Sequence, residues 1–215
     1  MRPSPTASPA SPTGPKGRWP ESPDEEIHSG GPFDPEQSFG RIAPLEVEIG
    51  SGKALFLLEA ARRAPAHDFL GIELSLAYYR ICRGRVARSG APNVRVLRAD
   101  GRRFVETSLP PGSVHAFHIY FPDPWPKKRQ RKRRLLDGPF LEILAARLAP
   151  GGVVRIATDH ASYGSLIDPL LESVPSLERL PWQALPSPPP THYEIKYAAE
   201  SRPIHRFLLR RSPTA

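Results

Sequence analysis

The chain has 215 residues, 30 Lys plus Arg against 22 Asp plus Glu for a formal net charge of +8, 28 Pro and a single Cys. This length points to one folding unit with a sizeable core, and one Cys excludes an intramolecular disulfide or a Cys-rich zinc site. No run of about 18 apolar residues occurs and the first 35 residues lack a secretion-type apolar stretch, so the expectation is a soluble, cytoplasmic protein with no membrane partner. The basic surplus fits an acidic partner such as nucleic acid.

Residues 1–35 hold nine of the prolines, interleaved with Ser, Thr, Ala and Gly. Such a stretch buries too little apolar surface to offset its ordering entropy, and it is expected to be a disordered arm ahead of a folded domain of residues 36–215. The arm carries three basic and five acidic residues, leaving the remainder at a formal +10. From residue 45 on, short apolar runs alternate with helical patterns, the signature of βαβ units around a parallel sheet. LEVEI (45–49) reads as a strand, followed by a Gly turn and a helix over 54–64. FLGIE (69–73) is a second strand and 76–90 a helix closed by Gly90. VRVLRAD (94–100) and VHAFHIYF (114–121) are the third and fourth strands. A helix after Gly138 stops at Pro150-Gly151-Gly152, VVRIATD (153–159) is a fifth strand, and a helix spans 163–174. LERLPW and PIHRFLLR read as a looser strand pair separated by the Pro-rich SPPPTHYE. The leading architecture is an α/β, doubly wound, mostly parallel sheet with helices on both faces.

Ligands of such sheets bind beyond the carboxyl ends of the strands. Here those ends carry acids: Glu48, Glu73, Asp100, Asp123 in the loop after the fourth strand, and Asp159. One such acid is an ordinary turn or cap residue; five in succession would gather negative charge around one crevice. The turn Gly50-Ser51-Gly52 is no P-loop, because Val47 stands where that motif needs Gly and Ala54 where it needs Ser or Thr. Nor is it a dinucleotide fingerprint, since Leu55 takes the third Gly position. What remains is a turn at which Gly50 and Gly52 let the backbone approach a ligand, with Glu73 placed for a ribose diol. S-adenosyl-L-methionine fits: it offers a ribose, an adenine amine and a sulfonium that acidic walls tolerate better than a pyrophosphate.

The stretch IYFPDPWPKKRQRKRR (119–134) is more specific. A basic run is commonly a solvated face or a targeting signal, but this one lies inside the domain, directly after a strand and Asp123. Lys and Arg neutralise phosphates without reading sequence, whereas a base delivered to a pocket needs hydrogen bonds to its edge. A carboxylate accepting from N1–H and N2–H of guanine is a natural match.

In order and spacing, EVEIGSGKALFLLEAA, FLGIEL, RAD, IYFPDPWPKKRQRKRRL, LAPGGVVRIATDHASY and THYEIKY resemble the bacterial tRNA (guanine-N7-)-methyltransferases. The resemblance spans about residues 44–210 and implies the class I (Rossmann-like) methyltransferase fold and transfer of a methyl group to N7 of the guanine at tRNA position 46. It implies cofactor contacts at Glu48, Glu73, Asp100 and Asp123, with Asp123 also the catalytic carboxylate. It implies tRNA contacts at Lys127, Asp159 and the segment Thr191, His192, Tyr193, Glu194, where the family reads T-K-F-E; His192 thus stands in place of a Lys.

Two other readings stay open at this level: a methyltransferase acting on an exocyclic amine, and a non-catalytic RNA-binding protein on the same scaffold. An N-cap role for Asp159 competes with a functional one. Cys82 reads as core. His115 and His118 lack ligand spacing, so no metal is expected. Trp182 and Pro188 to Pro190 read as loop-shaping residues.

Overall fold

The structure is a computed structural model that describes residue 28 and residues 31–212. Seven strands, β1 (Leu45–Ile49), β2 (Asp68–Glu73), β3 (Val94–Arg98), β4 (Val114–Tyr120), β5 (Leu148–Thr158), β6 (Leu177–Leu180) and β7 (His205–Arg211), form one sheet in the order β3-β2-β1-β4-β5-β7-β6. The first five run parallel, and β7 is antiparallel to both β5 and β6. The chain winds outward from β1 to β3, then resumes at β4 on the other side of β1. That reversal opens a crevice at the carboxyl ends of β1 and β4, which is where the acidic residues were read.

The connecting helices are α1 (Pro35–Phe39), α2 (Leu55–Arg63), α3 (Leu76–Ser89), α4 (Gly101–Thr107), α5 (Gly138–Arg147), α6 (Ala161–Glu172) and α7 (His192–Ala199). The expected elements fall in place within a few residues; α1 is an addition, and three further differences stand out. The segment after β3 forms α4, whose N-cap is Asp100: its side chain accepts from Arg103 N–H at 2.9 Å. The stretch read as ending a helix at Pro150 to Gly152 belongs to β5, and α5 stops at Arg147. The supposed loop SPPPTHYE turns into α7, because Thr191 and Glu194 make a reciprocal capping box that satisfies two backbone donors.

The core has a large cluster on one face of the sheet, built on Val47, Ile49, Phe117 and Ile119 with Phe140, Leu141 and Leu144 of α5. A smaller one lies under α2, around Phe56, Leu57, Phe69 and Tyr120. Gly71 of β2 permits the close fit of α2 there: a Cβ would meet Leu57 Cδ2 at 2.8 Å. Most of the expected arm, residues 1–27, lies outside the described residues. Its last part packs on the domain: Phe33 is buried, its N–H bonds to Ser108 O at 2.8 Å, and its ring meets Phe104 edge-on. Among the described residues no helix is long and apolar enough to cross a membrane.

The α2 face also buries a polar chain. Glu46 of β1 bonds His67 Nδ1 at 2.6 Å and His118 Nε2 at 2.7 Å, and His118 Nδ1 lies 3.0 Å from the Tyr120 hydroxyl. Burial pushes the Glu46 carboxyl up, but hydrogen bonds and charge from His118 and then His67 outweigh it and hold the group at about 2. Its contribution to stability is therefore complete above the ordinary 4.5 and is lost as pH falls toward 2. In urea titrations at pH 7, Glu46→Gln is expected to lose about 2 to 3 kcal/mol, since it removes the anion bonded by the buried His118 and the half-buried His67. The gap between variant and wild type should narrow steadily below pH 4.5; a gap that does not change with pH counts against this account.

Candidate active site

The crevice is a cleft of about 790 Å³. Its floor is the turn after β1, where Gly50 (φ +85°) and Gly52 (φ +52°) adopt left-handed backbone and no side chain stands between the chain and a ligand. Gly52 N–H donates to Glu73 Oε2 at 2.9 Å and Ser75 N–H to Glu73 Oε1 at 2.8 Å, so β2's terminal acid ties the turn and the start of α3 together. A carboxylate has about four acceptor positions; neither these bonds nor Asp100's cap exhausts its carboxylate.

Glu48 differs. It is 5% exposed, and its Oε2 is buried without a hydrogen-bond partner. Burial, and after it the charge of Glu73, raises its carboxyl well above the usual range. Cys82 lies 3.6 Å from Ser51 Oγ behind the turn; burial pushes its thiol up to about 12, so it is an inert core residue, as its sequence context indicated.

The opposite wall is the loop after β4. Phe121 (φ +53°) and Trp125 (φ +39°) are held in left-handed backbone that non-glycine residues seldom adopt. Phe121 N–H is fixed to Ala157 O at 2.7 Å. Arg134 clamps the far end: its Nε donates to Pro124 O at 2.8 Å, and its guanidinium lies 4.9 Å from the Tyr163 ring centroid. Between these anchors Asp123 is exposed on the cleft wall, next to Trp125, over which Arg133 sits at 5.2 Å. The rest of the basic run forms a 3-10 helix, Lys128–Arg133, whose Lys and Arg are all exposed.

Of the residues singled out in the sequence, Glu48, Gly50, Gly52, Glu73, Asp100, Asp123, Thr191, His192 and Tyr193 all line this one cleft. Lys127, Asp159 and Glu194 do not. Lys127 precedes the basic 3-10 helix on the outer surface. Asp159 does not cap α6, whose N-cap is His160; it pairs with Arg202 at 2.8 Å. Glu194 closes the capping box and binds Arg206 at 3.2 Å. The cleft also contains residues the sequence reading passed over: Tyr78 of α3, Tyr120 of β4 and Lys196 of α7. Tyr193 stacks on Tyr197 of the same helix, and both Tyr193 and Tyr78 of α3 line the cleft. Among the described residues no group of three or more His, Cys, Asp or Glu is placed to hold a metal.

The sheet order and a carboxylate-ringed crevice behind a Gly turn define a class I methyltransferase. Solved structures with the same fold include the 16S rRNA methyltransferase KamB (TM-score 0.57, 16% identity, 83% of this chain and 92% of that one). The aminoglycoside resistance methyltransferase NpmB1 is similar (TM-score 0.55, 16% identity, 84% and 94%). A family described as a putative methyltransferase matches residues 42–207. The tRNA (guanine-N(7)-)-methyltransferase of Alkalilimnicola ehrlichii is 41% identical over 160 residues, covering 74% of this chain and 68% of its own. That of Halorhodospira halophila is 35% identical over 203 residues, covering 92% and 87%. The chain belongs to the tRNA (guanine-N7-)-methyltransferase family.

Arg134 is distinguished from its basic neighbours by its anchoring of the Asp123 loop. Arg134→Ala is expected to lower stability by about 1 to 2 kcal/mol, for a carbonyl hydrogen bond and a ring contact, whereas the exposed Arg131→Ala should stay within about 0.5 kcal/mol of wild type. Thermal unfolding of the two variants side by side decides this, and equal losses would remove the distinction.

Proposed function

We propose that this protein transfers the methyl group of S-adenosyl-L-methionine to N7 of a guanine in tRNA, at position 46 of the variable loop, in the cytoplasm. The observation that carries the reading is Asp123: an exposed carboxylate on a doubly anchored loop, with an acid-lined cleft on one side and the basic 3-10 helix on the other. The residues fit the cofactor. Glu48 offers a buried, unpartnered acceptor, Glu73 and Asp100 keep acceptor capacity toward a ribose and an adenine amine, and the Gly turn admits close approach.

When bound, S-adenosyl-L-methionine supplies an electrophilic methyl group. Guanine N7 carries an in-plane lone pair and no proton, so no side chain has to act as a general base. The work left to the protein is positioning and electrostatics. Asp123 accepts from N1–H and N2–H of the guanine, which fixes the base by its Watson–Crick edge and leaves N7 directed away from the carboxylate. The same negative charge stabilises the cationic ring that methylation creates. The tRNA backbone is held by the exposed Lys127, Lys128, Arg129, Arg131 and Lys132, and that hold weakens with salt as condensed counterions return. Thr191, His192 and Tyr193 reach the cleft from the N-terminal end of α7 and complete the guanine site. Asp159 and Glu194, outside the cleft, contribute through Arg202 and Arg206, with which they pair. In this reading the catalytic domain is residues 36–215, and the arm of residues 1–35 stands outside the chemistry, with Phe33 as its anchor.

The test is to incubate the protein with methyl-labelled S-adenosyl-L-methionine and unmodified tRNA and to analyse the nucleosides. All label is expected in 7-methylguanosine; label in another nucleoside overturns the reading. Asp123→Ala should lose at least about 100-fold in rate, the scale of removing a group that acts on transition-state charge, while retaining cofactor affinity within about tenfold. A variant that methylates at the wild-type rate would exclude Asp123 from the chemistry.

A further inference from the structure

Among the described residues only two buried side-chain polar atoms lack a hydrogen-bond partner, and one of them, Glu48 Oε2, belongs to a residue that lines the cleft. A buried acceptor left unpaired costs free energy, and a buried, unpaired negative charge costs far more. The titratable groups facing Glu48 are Glu73 from β2, Cys82 from α3 and Tyr120 from β4. Cys82 and Tyr120 are both pushed up, chiefly by burial, and are neutral near pH 7. The only charge they leave beside Glu48 is therefore another carboxylate, that of Glu73. The cations of the cleft, Lys53, Arg102, Lys132, Arg133, Arg134 and Lys196, line it as well, and none of them is hydrogen-bonded to the buried Glu48 Oε2.

We propose that Glu48 carries a proton in the cofactor-free protein and gives it up to solvent when the α-ammonium group of S-adenosyl-L-methionine docks on its carboxylate. The proposal rests on the reading of the cleft as the cofactor site. The exchange balances: a neutral carboxylic acid and an ammonium ion become a carboxylate–ammonium pair plus one released proton, and the ammonium keeps all three of its own. The ammonium, rather than the sulfonium, is the partner because Oε2 needs a donor and a sulfonium has no N–H to give. Two carboxylates buried side by side do not both ionise readily without a cation between them, so the arriving cation makes Glu48's ionised form affordable at the moment of binding. The site thereby selects for a ligand that brings its own positive charge. The resting protein thereby avoids keeping an unpartnered anion at Glu48 beside the carboxylate of Glu73.

Isothermal titration of the full chain with S-adenosyl-L-methionine, and separately with S-adenosylhomocysteine, in buffers of differing ionisation enthalpy tests this without any turnover. The expected result is a net release of protons, at most one per ligand, the same for both ligands because both carry the ammonium, with affinity improving by up to about tenfold per pH unit wherever Glu48 is still protonated. Glu48→Gln should bind more weakly and with heat that no longer depends on the buffer, which separates Glu48 from His192 on the same cleft. Should that variant bind too weakly to titrate, Glu73→Gln serves instead: removing the neighbouring charge lowers Glu48's hold on its proton, and the number released falls below the wild-type value. Wild-type binding without proton release, release with S-adenosyl-L-methionine alone, or undiminished release from Glu48→Gln would each overturn the proposal. Absence of any binding would instead overturn the assignment of the cleft as a cofactor site.

Discussion

Burying the carboxylate of Glu48 at the end of a central strand is the constraint around which the site is arranged. A parallel sheet forces the carboxyl ends of β1 to β5 to one edge, and the reversal of winding between β1 and β4 leaves that edge open at Glu48. An acid placed there is almost wholly cut off from water, so the surroundings have to tolerate it. The Gly turn keeps side-chain atoms off its open side, and Glu73 is drawn back by two backbone N–H groups. Cys82 and Tyr120 supply neutral walls. Each of these features would be unremarkable alone; together they surround one acceptor that no described residue satisfies.

The second half of the site depends on a different kind of stress. Phe121 and Trp125 hold left-handed backbone without being glycines, which costs of the order of 1 to 3 kcal/mol each. Such conformations persist only where their surroundings enforce them. The Phe121 N–H bond to Ala157 O and the Arg134 bond to Pro124 O bracket the loop, and Tyr163, beneath Arg134, also accepts Leu136 N–H through its hydroxyl at 3.3 Å. The prolines at 122, 124 and 126 restrict the remaining freedom. Asp123 is thus exposed yet not loose, which is what a group that orients a substrate requires.

Much of this could be read from the chain. The strands were legible because a parallel sheet covered on both faces leaves nearly continuous apolar runs, as in FLGIE and VHAFHIYF, and the acids after them stood out against those runs. What escaped was set by contacts between distant residues. Arg134 looks like any other member of KKRQRKRR, and only Tyr163, 29 positions on, makes it an anchor. Asp159 closes β5 just as the other acids close their strands, but Arg202 draws it into an ion pair. Glu46, His67 and His118 are separate polar residues in the sequence and one buried chain in the fold. The helix α7 was a different kind of miss. T-H-Y-E is a capping-box sequence in its own right, masked by the prolines that precede it.

The formal +8 of the whole chain hides a division of charge that the chemistry needs. A cationic cofactor and a polyanionic RNA call for opposite fields, and the reacting atoms must meet within bonding distance. Here the sign changes across one short loop: carboxylates face the cleft at Glu48, Glu73, Asp100 and Asp123, and the exposed basic helix begins at Lys128. Lys132 and Arg133 of that helix also line the cleft, while its other cations, Lys128, Arg129 and Arg131, are exposed outside it, where their field is screened over roughly 8 to 10 Å at physiological salt. Glu48 and Glu73 are buried, whereas Asp123 is exposed on the loop that leads into the basic helix. The loop's left-handed backbone, its clamping by Arg134 and its prolines act together to hold Asp123, and the change of sign beside it, at a fixed place.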